Sequence, residues 1–263
     1  FTAHDYSTIC IRANLLNGKG KICKNPRIPC KIYNKIQKYL IDDKPDIVTA
    51  PSKFVIKQLE KTGLFMDTEK IVLPNPVKTR TRPIEKFYDT LDILFVGSLS
   101  KHKGPDIIIK AFKELKNNNL KLHILGKGPD EDRLKELAKD DKIIFHGFLT
   151  GKDLMEMYKM ANITVVPSIW YENSPMVIYE SFMHSTPVIA SRIGGIPELV
   201  KDGYNGFLFE PGSTKELSRI FQRIADNPET LKELEDNAFN SVKKYDIKKH
   251  INKLEKIYKS ITK

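Results

Sequence analysis

The chain has 263 residues, 40% of them hydrophobic and 29% charged, a balance that suits one large or two modest globular domains. Lys and Arg outnumber Asp and Glu by 44 to 33, giving a net charge of +11, and no apolar run reaches the roughly 20 residues that a membrane-spanning helix needs. The positive charges are scattered over helix faces, as in Lys35-Ile36-Gln37-Lys38 and Lys248-Lys249, without the aromatic interleaving of a nucleic-acid platform, which argues against that partner. A Lys-rich proteome is the favoured source of the excess, and weak contact with an anionic membrane surface is the alternative. Phe1-Thr2-Ala3-His4-Asp5 has neither an initiator Met nor the plan of a signal peptide. It reads as the tail of a strand entering a loop, so the chain is expected to be part of something longer. Cys10, Cys23 and Cys30 are odd in number and come without a secretory signal, which argues against a disulfide framework and for the cytoplasm, with the inner membrane face as an option.

In chain order, the pattern predicts a helix at Ile32–Leu40, a strand at Asp46–Thr49, a helix at Lys53–Thr62 and a strand at Lys70–Leu73, stopped by Pro74-Asn75-Pro76. Lys78–Asp89 reads as a linker. Beyond it, predicted strands at Asp92–Val96, Lys121–Leu125, Lys142–Phe145, Ile163–Val166, Pro187–Ala190 and Gly206–Phe209 alternate with amphipathic segments. These cover Asp106–Lys116, Glu131–Ala138, Asp153–Met160, Met176–His184 and Thr214–Ala225. Apolar runs each followed by a helix indicate buried parallel strands, hence a doubly wound α/β sheet with its ligand at the carboxyl edge. Two further helices follow, one opened by Asn227-Pro228-Glu229. The other carries Ile247, Ile251, Leu254, Tyr258 and Ile261 as a stripe read as core packing. The expected organisation is residues 1–85 as the end of a first domain with its linker, 86–245 as a complete ligand-binding domain, and 246–263 as a helix packing back towards the first.

The most informative segment is Trp170-Tyr171-Glu172-Asn173-Ser174-Pro175-Met176-Val177-Ile178-Tyr179-Glu180. Asn173 or Ser174 can cap a helix whose first position suits Pro175, leaving first-turn N–H groups aimed at the carboxyl edge as an anion site. Glu172 precedes that site, and Glu180 lies about 8 Å further along the axis at ~1.5 Å per residue. Two carboxylates flanking a phosphate site can accept hydrogen bonds from hydroxyls at both ends of a nucleotide sugar. Taken alone, two Glu residues at this spacing favour an ordinary capped helix with one solvated and one partly buried carboxylate.

The order of the other motifs resembles the retaining glycosyltransferases of family 4, which have the GT-B fold. It runs Ala50-Pro51-Ser52, Leu73-Pro74-Asn75-Pro76, Phe95-Val96-Gly97 with Lys103-Gly104, Leu125-Gly126-Lys127-Gly128-Pro129 and His146-Gly147-Phe148. The Glu pair, Thr186-Pro187-Val188-Ile189-Ala190-Ser191 and Ile193-Gly194-Gly195-Ile196-Pro197-Glu198 complete it. The resemblance implies a GT-B protein with a complete C-terminal Rossmann-like sheet and the end of an N-terminal one. It also implies sugar transfer from a UDP- or GDP-sugar to a glycan or lipid acceptor, with retention and without a metal or other cofactor.

By position, Glu172 would meet the donor sugar hydroxyls, Glu180 the ribose, and Lys103 the diphosphate. The segment Asn173, Ser174, Pro175, Met176 and Val177 would hold sugar and phosphate through its backbone. Phe148 and Leu149 would lie near the base, with Gly97, Ser98 and Gly128 lining the same cleft. His4, in His4-Asp5-Tyr6, would face the sugar and β-phosphate, so His4, Glu172 and Lys103 form the catalytic set. The family often has Gly-Arg-Leu where this chain reads Gly97-Ser98-Leu99. The missing cation puts donor affinity in question, with Lys101 placed to compensate. Gly194 and Gly195 are expected to make a tight turn, and His102, His123, His146, His184 and His250 to be structural. The spacing of the three cysteines lacks the close pair of a zinc site. The rival reading is a module that binds donor and transfers nothing. A sugar epimerase or phosphorylase of the same fold fits the motif order less well.

Overall fold

A computed structural model describes residues 1–116 and 119–262. Two parallel sheets organise them. The first is small: β1 (Ile47–Ala50) pairs with β2 (Glu69–Val72), and Thr2 bridges to Thr49 on the other side. Its helices are α1 (Ile28–Ile41) and α2 (Lys53–Glu60). Helix α1 starts four residues before the predicted Ile32, with Pro29 in its first turn where a missing N–H costs nothing.

The second sheet holds β3 (Leu91–Val96), β4 (Leu120–Leu125), β5 (Ile143–Gly147), β6 (Ile163–Val166), β7 (Val188–Ser191) and β8 (Gly206–Phe209). All pairs are parallel and the order is β5-β4-β3-β6-β7-β8. Strands β6 and β7 are buried at every residue, which is why they read as unbroken apolar runs rather than alternating ones. The connecting helices are α3 (Pro105–Lys113), α4 (Glu131–Ala138), α5 (Gly151–Met160), α6 (Met176–Met183), the single turn α7 (Ile196–Leu199) and α8 (Thr214–Asp226). The largest apolar cluster packs the sheet against α3, α4 and α8 through Ile108, Phe112, Leu134, Leu217 and Phe221. A second cluster packs α6 and α9 (Leu231–Val242) through Ile178, Phe182, Ala238 and Val242. Winding runs outward from β3 to β5, then returns beside β3 and runs to β8. The crevice between the ends of β3 and β6 is therefore the topological switch point, where open α/β sheets bind ligands.

The linker is strapped to the sheet by Lys86, a buried lysine whose Nζ donates to the carbonyls of Tyr158, Lys159 and Ala161 and lies 2.8 Å from Thr186 Oγ1. The last helix, α10 (Ile247–Ile261), meets the first sheet: Lys253 Nζ donates to the Val72 carbonyl and His250 Nδ1 to that of Pro74. The expected core stripe is corrected here. Ile247, Ile251, Tyr258 and Ile261 are exposed, Leu254 is half-buried, and Ile257 alone in α10 is buried. The inward face follows His250, Lys253 and Ile257, whose contacts are partly polar, so hydrophobic periodicity points to the wrong side. No described helix is long and apolar enough to cross a membrane.

Candidate functional site

Four turns meet at the switch point. After β3 the chain makes a single 3-10 turn, Lys101–Lys103, and Gly104 follows with φ +73. A Cβ there would lie 2.1 Å from the Pro167 carbonyl oxygen, so only glycine lets the β3 turn close onto the end of β6. That contact carries Lys103 to Glu172: Lys103 Nζ stands 2.7 Å from Glu172 Oε1. The same oxygen accepts from Ser168 Oγ and from the indole Nε1 of Trp170, each at 2.7 Å. Glu172 is only 5% exposed, and this convergence of one cation and two neutral donors offsets the cost of burying its charge. Lys103 also lies 4.9 Å from the Trp170 ring centre, and His102 meets that ring edge-on at 5.1 Å. Burial, helped by the neighbouring Lys103, holds His102 below the ordinary histidine range. Sequence reasoning singled out Glu172 and Lys103 but missed Trp170 and Ser168. The one available signal was that Trp170 is the chain's only tryptophan, two residues from the glutamate.

The turn bearing Glu172 rests on the Gly194-Gly195 turn after β7. Gly195 N donates to the Glu172 carbonyl at 2.7 Å, and a Cβ on Gly195 would reach within 1.9 Å of the Asn173 carbonyl oxygen. The expected helix cap needs correction. Pro175, extended at ψ 123, occupies the cap position of α6, with no side-chain hydrogen bond capping the helix. Asn173 and Ser174 are committed elsewhere: Asn173 Nδ2 donates to the His4 carbonyl at 2.7 Å, and Ser174 Oγ pairs with Tyr179 Oη at 2.6 Å. The first-turn N–H groups of Met176 and Val177 have no intrahelical acceptors. Glu180, one turn on, accepts from the buried Tyr158 hydroxyl at 2.8 Å. Burial and the adjacent Glu180 push that phenol well above its ordinary range, so it stays a donor. Glu172 and Glu180 thus belong to separate hydrogen-bond sets on the two sides of α6's start.

A cavity of about 430 Å³ adjoins this point, lined by Val96, Gly97, Ser98, Gly126, Lys127, Phe148 and Leu149 among others. Phe148 is 68% exposed at its mouth. Gly128 packs against the Leu99 backbone and is not one of the residues lining this cavity. The apolar cluster around Tyr158 shares the walls Val96, Leu125, Leu149 and Leu154, which ties Glu180 to this cavity. A small cavity of about 30 Å³ beside Val96 holds Lys103, Glu172, Pro175 and Val177. Larger cavities lie against the linker and in the loop of residues 10–30, away from the strand ends. Cys10, Cys23 and Cys30 are free thiols on the latter, and no group of three or more His, Cys, Asp or Glu among the described residues is arranged to hold a metal ion.

The first segment reaches the site too. His4 is exposed and its backbone is held by Asn173. Tyr6 is 1% exposed and its hydroxyl has no hydrogen-bond partner among the described residues. Burial first, then Glu172 and Tyr171, raise that hydroxyl above its ordinary range. Phe54 packs on Tyr171 at 4.9 Å between ring centres, and Asn75 Nδ2 donates to the Ser174 carbonyl.

A doubly wound parallel sheet with a basic and an acidic side chain paired at its switch point, beside an apolar cavity and a helix start, defines an α/β protein with a Rossmann-like domain. A family model described as Glycosyl transferases group 1 matches residues 77–241, more than half of the chain, and the chain belongs to that family. It is 36% identical over 137 residues to an uncharacterized glycosyltransferase of Methanocaldococcus jannaschii, covering 50% of this chain and 35% of that one. With another uncharacterized glycosyltransferase of the same organism it shares 29% over 220 residues, 82% of this chain and 60% of the relative. The chain therefore spans less than two thirds of the length of these relatives. In fold it resembles the crystal structure of Anabaena HepE in complex with UDP, with TM-score 0.81 and 19% identity over 98% of this chain and 71% of the other.

Proposed function

We propose that this chain carries the donor side of a retaining family 4 glycosyltransferase that takes a hexose from a UDP- or GDP-sugar. One observation carries the reading: a lysine, a buried carboxylate and a helix start converge at the switch point, next to an apolar cavity sized for a base and ribose. Lys103 and the first turn of α6 would receive the diphosphate. Glu172 would turn its second oxygen to the sugar, Glu180 would meet the ribose, and the base would lie by Phe148 and Leu149. Gly97 and Ser98 line that cavity, and Gly128 would stand beside the donor through its backbone. His4 would close over the sugar from the first segment. The UDP bound in the Anabaena structure supports the nucleotide class.

In the reaction so inferred, the bond from the anomeric carbon to the β-phosphate oxygen breaks. The acceptor hydroxyl bonds to that carbon on the same face, and its proton passes to the departing phosphate. Lys103 stabilises the charge that grows there. No metal or other cofactor is invoked. The acceptor is a glycan or a lipid, and an acceptor presented at the cytoplasmic membrane surface is supported by α1. That helix has no buried residue and turns Ile28, Ile32 and Ile36 outward beside Lys31 and Lys35. Calorimetry with UDP, GDP and ADP, run beside an assay for release of sugar from the corresponding nucleotide sugars, tests the reading. Binding of UDP or GDP with turnover supports a transferase. Binding without turnover favours a donor-binding module, and binding of none sinks both.

A further inference from the structure

The carboxylate of Glu198, in α7, caps a helix that lies 145 positions away in the chain. Its Oε2 accepts from the Lys53 amide and its Oε1 from the Phe54 amide, each at 2.8 Å. Ser52 Oγ takes the next donor, Val55 N, so the first three free amides of α2 are all matched, two of them from across the junction between the two sheets. A carboxylate at a helix start is favoured by the dipole as well as by the bonds. An acid inside α2 itself would serve as cap equally well, yet its first turn contains none.

What this long-range cap touches gives it a second role. Glu198 ends the Gly194-Gly195-Ile196-Pro197-Glu198 turn, whose Gly195 amide holds the Glu172 carbonyl. On the other side, α2 brings Phe54 onto Tyr171, and β1, which precedes α2, is bridged by Thr2 just before His4. His4 is in turn held by Asn173. Four consecutive residues at the cleft, Tyr171 to Ser174, are thus gripped from the two sides, and the bidentate Glu198 contact is the charged fastening of that grip.

We infer that Glu198 is a positioning residue: it fixes the first segment, and with it His4, at the height over Glu172 that a bound sugar requires. The inference rests on the nucleotide-sugar reading for its ligand and on the geometry alone for the fastening. It predicts that the nucleotide part of the donor, held by Lys103, α6 and the apolar cavity, does not need Glu198. The sugar part does.

Three variants separate this role from simple capping: Glu198→Ala, Glu198→Gln, and Glu198→Ala combined with Lys53→Glu. The last returns an acid to the first turn of α2 without rebuilding the bridge. Hydrogen exchange is read first. In Glu198→Ala the amides of residues 1–6 and 171–174 exchange about tenfold faster, although none of them bonds to Glu198. Glu198→Gln, left with one acceptor oxygen, falls between. Lys53→Glu recovers thermal stability but not that protection. Wild-type exchange in those two segments, or its recovery by Lys53→Glu, overturns the inference and leaves Glu198 a helix cap. Titration with UDP and UDP-glucose is read second. UDP affinity stays within about twofold of wild type, whereas the extra affinity conferred by glucose falls about tenfold in Glu198→Ala. An unchanged ratio also overturns it. A wild-type protein that binds neither probe counts against the nucleotide-sugar reading instead, and the exchange result still decides the fastening.

Discussion

Lys103 and Glu172 are paired across the switch point of the sheet, Nζ to Oε1 at 2.7 Å, one on the turn after β3 and the other on the turn after β6. The pair neutralises a buried carboxylate while leaving its second oxygen without a donor among the described residues, so the cleft is organised before any ligand arrives. A diphosphate entering at α6 would share this lysine with Glu172, drawing its positive charge towards the ligand.

Replacing Lys103 by Met keeps the stem and removes the charge. Lys103 is partly exposed, which moderates the penalty of stranding Glu172 to about 1–3 kcal/mol. Nucleotide diphosphate affinity is expected to fall about tenfold or more, measured by calorimetry beside a thermal melt. Unaltered diphosphate affinity would show that another cation, such as Lys101, does the work.

Trp170→Phe retains an aromatic ring and loses the N–H to Glu172. A hydrogen bond to a charged group is worth about 1.5–3 kcal/mol, so affinity for a nucleotide sugar should drop about tenfold while that for the free nucleotide changes little. Equal losses for both ligands would mean that Trp170 acts on the phosphate side through Lys103.

Tyr158→Phe leaves a snugly buried ring in place and takes the donor away from Glu180. Nucleoside and nucleotide binding should both weaken by about threefold to tenfold if Glu180 meets the ribose as proposed, because its carboxylate loses its anchor. A titration showing loss for the sugar nucleotide alone would reassign Glu180.

Gly195→Ala drives a methyl group into the Asn173 carbonyl, a contact of 1.9 Å against backbone that has to shift. About 1–3 kcal/mol of stability should be lost, and donor binding with it, as the Glu172 turn lifts. A variant with wild-type melting temperature and binding would remove the Gly194-Gly195 turn from the account of the site.

Acid should destabilise the fold in a defined window. Burial is the leading cause that lowers His102, His146 and His184 below their ordinary value. The unfolded chain then takes up protons at a higher pH than the folded one, so stability is present above about pH 6.5 and is lost as the pH falls through it. His146→Gln removes one contribution, and its melting temperature should fall less than that of wild type between about pH 7 and pH 5.5. An equal fall in both proteins would contradict the assignment.

Much of the second sheet was legible in the sequence, because strands buried on both faces leave continuous apolar runs such as Ile163–Val166 and β-branched starts such as Val188-Ile189. The helix start after Glu172 was legible only to within a residue. Asn173 and Ser174 have the chemistry of caps, but tertiary partners, the His4 carbonyl and Tyr179, claim their side chains. The stripe on α10 misled for a similar reason: its inward face is set by His250 and Lys253 finding backbone carbonyls, which apolar periodicity does not register. The donors on Glu172 and the cap on α2 are contacts between distant segments or between side chains two to four residues apart, and neither leaves a periodic trace.

The most direct test uses Trp170, the only tryptophan, as its own reporter beside Lys103 and Glu172. Its fluorescence is followed while UDP and GDP, then UDP-glucose and GDP-mannose, are added to wild type and to Lys103→Met. A saturable change with at least one nucleotide, larger for its sugar derivative and weakened about tenfold or more in the variant, is the predicted result. No saturable change with any of the four, or one that Lys103→Met leaves intact, would contradict the claim that the switch-point pair is a nucleotide-sugar site.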